Sequence, residues 1–134
     1  MVPGVEASIV GLAGVLVWTS VERFSAMRRL CVDTMGLKPR SDRPNFVNFQ
    51  KGAAWLTIAV HEGVDGVSRD PLRIMINLAV ADIDAAHQRL MTAGVRCLPI
   101  PSTEPWGGKV ATYSDPDVNT VQLMTGVRPE PPRW

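Results

Sequence analysis

The chain has 134 residues, of which 46% are hydrophobic and 20% charged, and a net charge of +1. That is the size and composition of one domain able to bury its own core, and so small a charge gives no long-range field to draw in a polyanion, so no nucleic-acid partner is expected. Cys31 and Cys97 are the only cysteines; with neither metal-site spacing nor a disulfide framework, both are expected to be packed and reduced.

The run Ile9 to Trp18, IVGLAGVLVW, is apolar but too short to span a bilayer, and no Lys or Arg precedes it to start a secretory signal. It reads as a buried strand of a cytoplasmic protein that makes no membrane contact. Val15, Val17 and Val21 mark one face, and Leu16, Trp18 and Ser20 the other. A helix follows with Phe24, Met27, Leu30 and Cys31 inward and Gly36 as its stop. An edge strand is placed near Leu37, then NFVNFQ and AAWLTIAVH as two strands around the turn Lys51-Gly52. Arg28, Arg29, Lys38, Arg40 and Arg43 form a loose basic cluster, diluted by Asp33 and Asp42, that reads as a solvated face.

His61 to Pro71 joins this half to a second one of the same form. Ile74, Ile76, Leu78 and Val80 alternate with Met75, Asn77 and Ala79 as in a two-faced strand. Asp82 is placed to cap a helix in which Ile83, Ala86 and Leu90 recur at helical spacing, and Gly94 ends it. His87, beside Gln88 and Arg89, reads as a surface residue. VRCLPIP, KVATYS and TVQLMT are then three strands, with turns at Trp106-Gly107-Gly108 and Asp115-Pro116-Asp117.

The chain is thus written twice. It is expected to be one domain over 1–134, with modules at 9–61 and 72–125 and a proline-rich, flexible tail at 126–134 in which Trp134 is placed to pack across a dimer. Laying Gly36 over Gly94 brings the two strands into register with a slip of one residue. Leu16 then matches Met75, Trp18 matches Asn77, and Ser20 matches Ala79.

This order, with MGL closing the first helix, LAVADIDAAHQRLMTAGV in the second module, and EPWGG followed by YSDPDVNTVQL near the end, resembles the vicinal oxygen chelate superfamily. Its members include glyoxalase I, extradiol dioxygenases, fosfomycin-resistance enzymes and bleomycin-resistance proteins. The resemblance implies an α+β fold of two βαβββ modules whose curled mixed sheets form a cavity, usually in a homodimer, but it implies no single reaction. The superfamily's last turn carries Gly where this chain has Val118. Either Val118 keeps an ordinary dihedral or the turn departs from the usual shape. Asp115, Pro116 and Asn119 are turn residues first, and no chemistry is assigned to them.

Metal-dependent members of that superfamily place one His, Glu or Gln ligand on each of four inward strand positions. Here the corresponding positions are Leu16, Thr57, Met75 and Gln122. One of four offers a donor, and a neutral Gln carbonyl alone cannot replace the hydration shell of a divalent ion. No metal and no other cofactor is therefore expected. Gln122, polar in an apolar strand, needs a hydrogen-bond partner at a cost otherwise of about 1–3 kcal/mol. A ligand or ordered water would supply it, or Thr57 and backbone groups.

Trp18, Trp55, Thr57, His61, Asn77 and Gln122 fall on faces directed to the cavities, and Trp106 lies in a loop suited to a gate. Two indoles with amides and one imidazole suit a partly aromatic organic molecule. His61, at the rim four residues beyond Thr57, is the only candidate catalytic residue. Two functions follow: a metal-free small-molecule-binding protein of the glyoxalase/bleomycin-resistance type, or a glyoxalase- or dioxygenase-like enzyme (lyase, isomerase or oxygenase) using a metal or His61 as general base.

Overall fold

The computed structural model describes residues 7–98 and 108–127. In the first half β1 (Gly14–Thr19) is followed by α1 (Phe24–Arg29), β2 (Pro39–Arg43), β3 (Phe46–Lys51) and β4 (Ala54–Val60). The second half repeats the order with β5 (Met75–Ala79), α2 (Ile83–Thr92), β6 (Arg96–Leu98), β7 (Val110–Ser114) and β8 (Thr120–Met124). Each half makes a four-stranded mixed sheet, β1-β4-β3-β2 and β5-β8-β7-β6, in which the first strand runs parallel to the last and the other pairs are antiparallel. This is the expected α+β architecture of two βαβββ modules. Neither sheet closes, and β1 and β5 are edge strands.

Each helix covers one face of its sheet. Phe24, Met27 and Cys31 pack on Val47, Phe49 and Ile58, while Ile83 and Leu90 pack on Tyr113 and Leu123. Burial of each such side chain contributes about 1.5–3 kcal/mol. The second helix begins where the Asp82 carboxylate accepts the Ala85 N–H at 3.0 Å, satisfying an orphan donor of the first turn. It ends at Gly94, with φ of 82°. The first helix ends differently: α1 widens into one π-type turn, Leu30–Thr34, in which the Met35 N–H reaches the Leu30 carbonyl at 2.8 Å, before Gly36 turns left-handed at φ 73°.

That wide turn, with a longer link from β1 to α1, corrects the register between modules. Leu16 pairs with Thr57 and Asn77 pairs with Gln122, so Leu16 is equivalent to Asn77, not Met75. The first module uses three residues more than the second between strand and glycine stop, where a slip of one was expected. Met75 shares the face of Asn77 but lies one pleat away, opposite Thr120.

The turn Asp115–Asn119 does more than reverse the chain. Buried Asp115 accepts the N–H groups of Asp117 and Asn119 on Oδ1 and the Asn119 amide on Oδ2. Burial pushes its carboxyl above the usual range, with the Asn119 bonds opposing. Val118 sits at φ 64°, so the usual turn shape is kept and a β-branched residue bears it, at about 1–3 kcal/mol. Asp117, also buried, accepts the Thr19 hydroxyl at 2.6 Å and faces Arg23 Nε at 3.3 Å, near enough for attraction but misaligned for a hydrogen bond. Its backbone carbonyl takes the Ser68 N–H. This one turn therefore ties the second module to the end of β1 and to the joining segment.

His87 is not a free surface residue: half-buried, its Nδ1 lies 2.6 Å from the Tyr113 hydroxyl. Burial, and to a lesser degree Cys97, push the Tyr113 phenol up to about 12.

Candidate functional site

Strand alternation sends every second side chain of the first sheet away from α1, and the register aligns these into rows. Leu16, Thr57 and Asn48 form one row, and Trp18, Ala59 and Phe46 the next. Trp55 lies a pleat beyond Thr57, opposite Gly14 and Gln50. A Cβ on Gly14 would come within 2.5 Å of the Trp55 indole Cδ2 and closer still to its carbonyl oxygen. Only glycine lets the indole lie over β1 in this way. These rows, with Arg40 at one side, line a cavity of about 450 Å³, within the size range of small-molecule sites. Its floor is polar, with one bond made within it: Asn48 Nδ2 donates to Thr57 Oγ1 at 2.7 Å.

The second sheet carries the matching row Asn77, Gln122 and Thr112. Gln122 Nε2 donates to Thr112 Oγ1 at 3.1 Å, so its protein partner is Thr112 and not Thr57. Gln122 does not line the cavity that Trp18, Trp55 and Thr57 share. Asn77 lines a second cleft of about 900 Å³ between the modules, walled mainly by apolar residues of β5 and α2 and by Met35 and Leu37, and Trp55 lines this cleft as well as the first cavity. The structure thus brings together Trp18, Trp55 and Thr57, joins Asn77 to Trp55 in a second cleft, and leaves Gln122 outside the lining of both.

His61 stands just after β4, its ring 4.9 Å from Trp18 and edge-on to it. It is exposed, and its Nδ1 accepts the Gly63 N–H at 2.9 Å. In a neutral ring so bonded, Nε2 carries the proton and offers no lone pair. His61 flanks the cavity rather than lining it. Trp106 and Trp134 lie outside the described residues, as do most of the EPWGG loop and of the tail.

The four register-equivalent inward positions are Leu16, Thr57, Asn77 and Gln122. A hydrocarbon, a hydroxyl and two neutral amides are a poor donor set for a divalent transition metal, which takes imidazole, thiolate or carboxylate. Among the described residues no three His, Cys, Asp or Glu side chains are grouped to hold a metal. The residues present do not fit the metal centre of the superfamily's metal-dependent members.

Sequence reasoning missed Asn48, Phe46 and Arg40. Asn48 was legible in principle, as the polar residue alternating with Val47 and Phe49. The arginines expected to form one solvated face divide: Arg28 pairs with Asp42, Arg43 lies over the Phe46 ring at 4.2 Å, and Arg40 lines the cavity.

Comparison with known proteins agrees with this architecture. The family model described as Glyoxalase/Bleomycin resistance protein/Dioxygenase superfamily matches residues 20–123. None of the curated proteins matches the chain. Among solved structures, a member of that superfamily from Sphaerobacter thermophilus is 25% identical, with a TM-score of 0.64 over 87% of this chain and 98% of its own. A lactoylglutathione lyase from Agrobacterium tumefaciens is 15% identical, with a TM-score of 0.67 over 89% and 96%. A fosfomycin resistance protein from Mesorhizobium loti is 20% identical, with a TM-score of 0.66 over 90% and 95%. At such identities the last two speak for the fold alone.

Proposed function

Because the chain belongs to the glyoxalase/bleomycin resistance protein/dioxygenase superfamily, whose fold carries several chemistries, we propose that it is a metal-free small-molecule-binding protein holding a partly aromatic organic ligand in its first-module cavity. One observation carries the reading. Two indoles, Trp18 and Trp55, face a 450 Å³ space over a floor where Asn48 bonds to Thr57, so the site offers flat apolar walls over a small polar floor. Indoles supply large, rigid contact area, which favours planar ligands.

The activities named for the lyase and the resistance protein are not carried over to this chain. The inward positions lack the donors a metal needs, and His61 stands outside the cavity lining with its Nδ1 taken by the Gly63 N–H. The reading includes a cytoplasmic location and a homodimer. Edge strand β1 exposes Val15, Leu16 and Trp18, and such an apolar, unpaired edge is ordinarily covered by another strand. A second copy could cover it and set the row Asn77–Gln122–Thr112 across from Leu16–Thr57–Asn48, completing a shared cavity. No described helix is long and apolar enough to cross a membrane.

Native mass spectrometry with elemental analysis of the same purified sample tests this. A dimer without stoichiometric metal, carrying a small organic adduct or accepting one, is the expected result. One divalent metal per chain, surviving dialysis, would overturn the reading.

A further inference from the structure

The cavity has a charged side that the aromatic walls do not explain. Across β2 and β3 the pairing runs Arg43 with Phe46, Asp42 with Val47 and Ser41 with Asn48, then jumps to Pro39 with Phe49. Arg40 is the extra residue of a bulge in which two residues oppose one. Such a bulge turns two successive side chains to the same face and is a common way to re-aim a side chain at a site. In regular pairing Arg40 would point to the helix side of the sheet, the side on which Arg28 pairs with Asp42. Instead it lines the cavity and donates through Nη1 to Gln50 Oε1 at 2.7 Å.

The environment of that guanidinium offers it no anion. Gln50 spends its oxygen on Arg40, and its Nε2 is buried with no hydrogen-bond partner. The cavity lining holds this one cation and no carboxylate. The remaining N–H groups of Arg40 are a planar fork, the shape that takes two oxygens of a carboxylate together.

The geometry points to a planar aromatic acid as the ligand class, its ring system against Trp18 and Trp55 and its carboxylate on Arg40. This rests on the pocket reading and narrows it. A neutral ring leaves the donor corner without an acceptor. A cationic ligand meets a like charge with no carboxylate to offset it.

The test uses the full-length wild-type protein and the Arg40→Gln and Arg40→Lys variants, titrated by calorimetry and Trp fluorescence with 1-naphthoate and its neutral isostere 1-naphthamide. Wild type should bind the carboxylate at least about tenfold more tightly than the amide, the step expected for one charge-assisted contact. That preference should shrink with added salt, because Arg40 is exposed. Arg40→Gln should bring the two probes within about twofold of each other, chiefly by loss of carboxylate affinity, and Arg40→Lys should keep part of the preference as a point charge without the fork. Equal affinity of wild type for both probes, or a carboxylate preference that survives in Arg40→Gln, overturns the anionic-ligand inference and leaves the pocket reading standing. Binding of neither probe overturns both.

Discussion

The bond between Thr19 and Asp117 gives the account of how the modules hold together its sharpest prediction. Thr19 is fully buried and Asp117 is 4% exposed, and their 2.6 Å hydrogen bond spans 98 residues of sequence. A hydrogen bond to a charged group contributes about 1.5–3 kcal/mol. The Arg23 side chain is 35% exposed, so its attraction to Asp117 adds only about 0.5 kcal/mol. Thr19→Val keeps the shape and leaves a buried carboxylate oxygen unmatched, which should cost about 2–3 kcal/mol. Asp117→Ala loses both contacts and strands the threonine hydroxyl, for about 3 kcal/mol. Combining them should recover about 2 kcal/mol of coupling, since each single change already removes the shared bond. Urea unfolding of the four proteins at a common slope provides the cycle. Coupling below about 0.5 kcal/mol, the usual error for independent sites, would show that the turn does not bind the modules and that the hydrogen bond contributes nothing net.

Three further outcomes are expected. Val118→Gly should stabilise the protein by about 1 kcal/mol, the left-handed strain less the cost of glycine's freedom in the unfolded chain; in thermal denaturation that is a rise of about 4 °C, and a fall would mean the strain is not there. Burial pushes the Cys31 thiol up to about 12, and the thiolate is the reactive form, so at pH 8.5 a thiol reagent should label exposed Cys97 and reach Cys31 only on unfolding. Because that folded value is raised, the group's contribution to stability is complete below the ordinary thiol pKa near 9 and lost as pH climbs toward about 12. Gly14→Ala should force the Trp55 indole and carbonyl aside, costing about 1–3 kcal/mol of stability as overpacking and shifting the Trp fluorescence; an unchanged spectrum and midpoint would mean that the indole does not lie over β1.

Much of this fold was legible because each module states its own boundaries. Asp82 and Gly94 bracket α2 with a cap and a left-handed stop, and Gly36 closes the first helix. NFVNFQ and TVQLMT, read as strands from their alternation, are β3 and β8. What escaped the sequence were local departures from regular structure. The π-type turn at Leu30–Thr34 has no residue signature, since its side chains suit an α-helix equally well, and with the longer link from β1 to α1 it displaced the match to Leu16 from Asn77 to Met75. The bulge at Arg40 lies in PRSDR, where no apolar alternation fixes the face, so the arginine read as solvated. The Thr112 partner of Gln122 follows from the β7–β8 register, which only the turn geometry at Val118 sets. His87 looked exposed beside Gln88 and Arg89, yet helical spacing from Ile83 and Leu90 leaves it at the boundary, within reach of Tyr113.

The most direct measurement for the central claim is calorimetric titration of the chelator-treated protein with 1-naphthoate, repeated after incubation with Zn²⁺ or Ni²⁺. The affinity should be the same in both titrations, with a stoichiometry of one ligand per first-module cavity and the heat lost in a Trp55→Ala variant. Binding that appears only once metal has been added would contradict it and return the inward strand positions to the metal-dependent pattern of the superfamily.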